Sequence, residues 1–200
     1  MKFALSIFAL TLLLPPSTPA QSSSARPAAA GQNAARPSRQ PSPNPFAGAP
    51  AASPADVISI DHILRSLYDV ISGPPGERDW NRFRSLFLPS AHLTSTSIAP
   101  DGSVRVHPVT VNEYASLAGS YFLNNGFFES PIVNRVQSFG NITQVFSSYE
   151  SRHARADAPF ARGINSIQLL YDGKRWWIVS ILWDEERPGN SLPADMATKP

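Results

Sequence analysis

From Phe127 to Glu186 the chain alternates apolar and polar residues with a period of two, and this run limits the fold more than any other feature. Residues two apart on an extended chain share a face, so the pattern specifies strands rather than helices. Gly140, a loop over 155–161 and Asp172-Gly173 divide the run into strands over 127–139, 141–153, 162–171 and 175–186. Consecutive strands joined by short connections pair antiparallel. Pro131 lacks a backbone donor, which places the first of them at an edge or at a bulge.

Asp172-Gly173 favours a two-residue hairpin turn, because both residues tolerate positive φ. With that turn Leu169 faces Trp176, Ile167 faces Ile178 and Asn165 faces Ser180. The other face carries Ile164, Ser166, Gln168, Leu170, Trp177, Val179, Ile181 and Trp183. Neither face suits water, so helices are expected on one side and a partner on the other. A two-fold homodimer through the outer sheet face, on Trp177, Val179, Ile181 and Trp183, is the simplest cover.

Upstream the period is helical. Val57, Ile60, Ile63, Leu64, Leu67, Tyr68 and Ile71 form one apolar stripe, with a cap in Ser53-Pro54-Ala55-Asp56 and a stop at Gly73-Pro74-Pro75-Gly76. Asp79 opens a short second helix with Trp80, Phe83 and Phe87 on one side, ended by Pro89. Strands over 92–98 and 103–107 flank Ala99-Pro100-Asp101-Gly102. Thr110-Val111-Asn112-Glu113 is a capping box opening a third helix that carries Tyr114, Leu117, Ala118, Tyr121 and Phe122. The order predicts an α+β fold with three N-terminal helices packed on a mostly antiparallel sheet.

Composition divides the chain in three. Met1–Ala20 has Lys2, a short apolar core and small residues before Gln21, the pattern of a secretory signal peptide, so the protein is expected to be exported, periplasmic or secreted. The apolar core is too short to span a bilayer comfortably, and no stable membrane span is expected after cleavage. Of the 35 residues in 21–55, 24 are Ala, Pro or Ser. Such a segment buries too little to offset its ordering entropy and reads as a disordered tether, with Phe46 its only anchor. Residues 56–196 form the single domain. Residues 56–200 hold 13 Lys+Arg against 15 Asp+Glu, without the cation cluster a nucleic-acid surface needs. The chain has no cysteine, which removes thiol catalysis and cysteine–zinc sites.

Three segments carry a resemblance. "DWNRFRSLFLPSAHL", "VNEYASLAGSYF" and "DGKRWWIVSILWDEE" are similar to the second helix, third helix and final hairpin of the nuclear transport factor 2-like superfamily, which includes SnoaL-like and ketosteroid isomerase-like enzymes. The resemblance covers residues 57–187 in the right order. It implies a cone: a strongly curved sheet wrapping the helices around an apolar pocket, with many members dimeric through the outer face. In ketosteroid isomerase-like enzymes a carboxylate near the first strand acts as base, but here Ser90-Ala91-His92-Leu93-Thr94-Ser95 holds no acid. His92 is the one ionisable group there, a weak catalytic candidate or a structural histidine.

The hairpin pairing puts Asn165, Ser180, Asp184 and Trp176 on the side of Ile178, where they would orient a ligand beside Tyr121, or else satisfy backbone groups. Tyr68, Trp80, Tyr114, Phe122 and Phe128 would complete an aromatic wall or simply fill the core. Glu150 and His153 point to opposite faces of a strand, so no metal site is expected there; Glu150 and Arg152 share a face, in the pocket or on the surface. No cofactor is implied. Three functions fit: binding of a small hydrophobic molecule, proton transfer, dehydration or cyclisation on such a molecule, and a non-catalytic dimeric interaction module. A pocket acid with a raised pKa would mark the second, and a filled cone the third.

Overall fold

The computed structural model describes residues 43–199. The expected signal peptide and residues 21–42 of the expected tether lie outside the described residues. Helices α1 (Pro54–Val57), α2 (Ile60–Ile71) and α3 (Trp80–Ser85) precede strands β1 (Phe87–Ile98) and β2 (Val104–Thr110). Helix α4 (Val111–Phe122) and strands β3 (Phe128–Phe139), β4 (Ile142–Arg152), β5 (Ala161–Tyr171) and β6 (Trp176–Glu185) follow. A short 3-10 turn, Ala194–Met196, lies near the C-terminus.

Helices α2, α3 and α4 each start where a polar side chain satisfies free backbone donors. The single first helix expected from the apolar stripe is broken, because Ser59 adopts an extended backbone and its hydroxyl accepts from the His62 amide to begin α2 anew. Asp79 caps α3 through the Arg82 amide. Thr110 and Glu113 form the reciprocal capping box of α4. α3 stops at Ser85, so Phe87 belongs to β1, and Pro89 falls in the register shift between Phe87 and His92 rather than ending a helix.

The six strands form one sheet in the order β2-β1-β6-β5-β4-β3. All neighbours are antiparallel except β1 and β6, the second and third strands in that order, which run parallel. α2 packs on β3 and β6, α3 on β1, and α4 on β1 and β2. Their apolar faces meet the sheet in one core of Ile63, Leu67, Phe83, Phe87, Val145, Ile167, Leu169 and Ile178, all nearly inaccessible to water. Burying each such side chain contributes roughly 1.5–3 kcal/mol.

The final hairpin departs from the two-residue turn. The Asp172 carboxylate accepts from the Lys174 and Arg175 amides, so the turn spans Asp172–Arg175 and Tyr171 pairs with Trp176. That shift of two preserves the faces. A bulge then leaves Val179 between the pairs Leu169–Ile178 and Gln168–Ser180, and beyond it every β6 side chain changes face. Ile181, Trp183 and Glu185 therefore point inward, and Ser180, Leu182 and Asp184 outward. The outward series expected for the dimer is thus corrected at Ile181 and Trp183.

Part of the outer face is covered by the chain itself. Trp177 lies under Phe46, ring centroids 5.1 Å apart, with the Arg175 guanidinium 3.7 Å from the Trp177 ring. Ala49 and Ala52 also pack on the core, so packing begins upstream of Asp56. At the other end the C-terminal stretch crosses the sheet: Ser148 donates to the Met196 carbonyl, Arg162 to that of Ala197, and Arg135 pairs with Asp195. Met196 is fully buried. The outer face still exposes Phe139, Ile142, Phe146 and Leu182, with Ile98, Val104 and Val106 on β1 and β2, and these are what a second copy would have to cover.

Candidate functional site

Between the helices and the concave sheet face lies a cavity of about 390 Å³, within the range of small-molecule sites. Phe83, Tyr114 and Phe122 wall it from the helices, Phe127 and Phe160 from the loops, and Leu93, Ile181 and Trp183 from the sheet. Arg78 secures the turn above it. Its guanidinium donates to the carbonyls of Ile71, Gly73, Pro74 and Gly76 and rests 4.8 Å from the Phe122 ring.

The polar groups of this cavity converge from adjacent strands. Glu129 enters near the start of β3, its amide fixed by the Ser72 hydroxyl. Ser151, its neighbour on β4, donates to one carboxylate oxygen at 2.9 Å. The Asn165 amide lies 3.5 Å from the other oxygen and donates to the Tyr68 hydroxyl at 3.2 Å. Ser147 gives its single proton to Asn134, so Tyr68 donates to Ser147, and the chain Asn165–Tyr68–Ser147–Asn134 has one direction. That direction fixes the Asn165 amide nitrogen toward Glu129.

Electrostatics single out Glu129. Burial among aromatic rings pushes its carboxyl up to about 7, with the Glu185 charge adding to the rise and the Ser151 and Asn165 donors opposing it. As a residue Glu129 is half-buried, because it also borders the groove between α2 and β3. Burial likewise raises the hydroxyls of Tyr114 and Tyr149 far above the phenol range, so both stay protonated donors. Tyr149 is 4% exposed and lines the cavity, and no group among the described residues hydrogen-bonds its hydroxyl.

Gly163 makes that placement possible. A Cβ there would clash first with the Asp184 backbone carbonyl and would sit 2.7 Å from the Tyr149 hydroxyl. Gly163→Ala is expected to cost about 1–3 kcal/mol, read as a lower melting temperature with unchanged far-ultraviolet circular dichroism. An unchanged melting temperature would mean that the strand yields freely.

The order β2-β1-β6-β5-β4-β3, curled around three packed helices with an aromatic-walled cavity inside, decides the architecture. The fold is the expected α+β cone, a six-stranded, mostly antiparallel sheet curved around the helices. Solved chains similar to it include a nuclear transport factor 2-like protein of unknown function from Silicibacter pomeroyi (13% identity, 64% of this chain and 94% of that one covered, TM-score 0.45). Another of the same description comes from Shewanella baltica (13% identity, 64% and 98% covered, TM-score 0.43). A third, from Nostoc punctiforme, is of unknown function with a cystatin-like fold (8% identity, 64% and 90% covered, TM-score 0.49). No protein-family model matches the sequence, and no curated protein matches it. The assignment of the cone rests on strand order and helix placement, not on these likenesses.

Of the residues singled out from the sequence, the cavity lining brings together Asn165, Tyr114, Tyr121 and Phe122, while Tyr68, Trp80 and Phe128 lie outside it. Ser180 and Asp184 point outward because of the β6 bulge, and Asp184 pairs with Arg187 at 2.6 Å, which holds its carboxyl below the usual range. Trp176 stacks beside Tyr171 near the hairpin turn, outside the cavity lining. His92 is exposed on the outer side of β1, opposite Thr110 and Ser180. Glu150 and Arg152 pair with each other at 2.8 Å. Sequence reasoning missed Glu129, Tyr149 and Glu185. The signal for Glu129 was an acid directly after Phe127-Phe128 in an otherwise apolar strand start.

Proposed function

We propose that the cone binds a small, largely apolar molecule and that Glu129 exchanges a proton with it. The observation that carries this reading is a carboxyl inside an aromatic cavity whose pKa is raised to about 7, where acid and base forms are both accessible near neutrality. Tyr149 and Tyr114 are protonated donors in the same lining, suited to a ligand oxygen on which charge develops. Asn165 and Ser151 are positioning residues that hold the carboxyl. The reading keeps export as part of it, on the pattern of Met1–Ala20.

A non-catalytic interaction module is the second reading, and the open cavity speaks against it, since a filled cone would serve a module equally well. The test is exchange of the acidic C–H protons of β-tetralone, an apolar ketone, followed by proton magnetic resonance in D2O. Wild-type protein should accelerate exchange, with a rate rising through the ionisation of Glu129 near 7. Glu129→Gln should lose at least about a hundredfold, as expected for removal of a general base. Equal exchange by both proteins would overturn the assignment.

A further inference from the structure

We propose that the ligand of this cone carries a positive charge: it is a hydrophobic amine whose ammonium group sits at the mouth on Glu185 while its apolar body fills the cavity. The inference rests on the reading of the cavity as a small-molecule site and names the ligand class. Its starting point is a charge imbalance. Glu129 and Glu185 both line the cavity, and the lining contains no arginine or lysine; His107, at the rim on β2, is its only basic side chain.

Of the thirteen other acids in the domain, six meet an arginine, five accept backbone amides at caps and turns, and Asp61 and Glu77 are exposed. Asp56 and Asp69 meet Arg82, Asp184 meets Arg187, Asp195 meets Arg135, Glu150 meets Arg152, and Glu186 meets Arg162. Among the described residues Glu129 and Glu185 have no such counterion, and the Glu185 carboxylate accepts no hydrogen bond either. A cavity that dehydrates one carboxyl and leaves a second unpaired at its entrance disfavours anionic ligands and attracts cations.

Placement supports this division of labour. Glu185 pairs across the sheet with Gly163, which in turn pairs with Tyr149. The Tyr149 hydroxyl, without a hydrogen-bond partner among the described residues, therefore belongs to a side chain in the row of Glu185, next to the row of the Glu129–Ser151 pair. Its lone pairs can accept from an ammonium as readily as its proton can be donated. Trp183 and Phe160 flank the same end of the cavity, and aromatic faces favour a nearby cation by about 0.5–2 kcal/mol. The bulge in β6 is what aims both Trp183 and Glu185 inward, so the cationic seat depends on it.

The experiment compares three probes with one apolar body: phenylbutylamine, phenylbutanol and phenylbutyrate. Binding to the full chain is followed by calorimetry and by tryptophan fluorescence at pH 7.5, chosen as roughly the midrange in which an alkylammonium is charged. The amine is expected to bind at least about fivefold more tightly than the alcohol, and the carboxylate more weakly than either. Glu185→Gln should bring the amine down to the affinity of the alcohol. Equal binding of amine and alcohol, or a preference that survives Glu185→Gln, would overturn the cationic seat while leaving the small-molecule reading intact. Absence of binding by all three would overturn both.

Discussion

Glu129→Gln is expected to stabilise the protein above pH 7 and to leave its stability unchanged near pH 4. In the folded state the Glu129 carboxyl titrates at about 7, against an ordinary value of 4.5. Between those limits the folded protein holds a proton that the unfolded chain releases, so stability falls as pH rises through this window. Below it both states are protonated and glutamine offers no advantage. Above it the wild type buries a charge that glutamine lacks. At about 1.4 kcal/mol per unit the gain is about 3.5 kcal/mol, and contact of the cavity with water reduces it to about 2. The groups facing Glu129 are Tyr68 from α2, Tyr114 from α4, Tyr149 from β4 and Glu185 from β6, so no cation offsets the effect. Thermal melts from pH 4 to 9 should show the two proteins diverging by several degrees between about pH 4.5 and 7 and keeping a constant gap above that. A glutamine variant that is less stable at pH 8 would mean that the Ser151 and Asn165 bonds to the carboxylate outweigh its dehydration.

A chain beginning at Ser53 is expected to be markedly less stable than one beginning at Ser42. The difference is the stretch carrying Phe46, Ala49 and Ala52, which packs on the core and covers Trp177. Removing it returns the Trp177 ring to water, and the loss should be about 2–3 kcal/mol. Phe46→Ala in the full chain should recover much of that loss as a single substitution. Equal melting temperatures for the two truncations would show that Phe46 rests on Trp177 without stabilising it. Composition made this stretch read as a tether with Phe46 its only anchor, because the packing of Ala49 and Ala52 is invisible among so many alanines and prolines.

The elements were largely legible because their signals are local. The Thr110–Glu113 capping box, the Asp79 cap and the alternation from Phe127 onward each lie within a few residues. The interior site was not, because faces on a strand depend on every residue before them. An Asx-stabilised turn in place of the two-residue one moved the hairpin pairing by two, harmlessly, but the unpaired Val179 inverted the rest of β6. Asn165 lay on the strand without the bulge and was correctly faced; Ser180 and Asp184 lay on or beyond it and were not. Glu129 escaped notice for another reason. A carboxylate two residues before a proline suggests an exposed strand end, and only the wrap of the sheet turns that end into a cavity wall.

The parallel pairing of β1 with β6 also sets the order in which the sheet can be completed. Phe87 finds Ile178 and Leu93 finds Ile181 only after nearly the whole domain has been made available. Until then the β1–β2 hairpin and the β3–β4–β5 meander are separate pieces, each with an unsatisfied edge. Joining them closes a long loop late, which slows folding relative to a sheet built only from neighbouring hairpins. The strand that carries Trp183 and Glu185 into the cavity is therefore the one that joins the two halves, so the pocket and the finished sheet form in a single event.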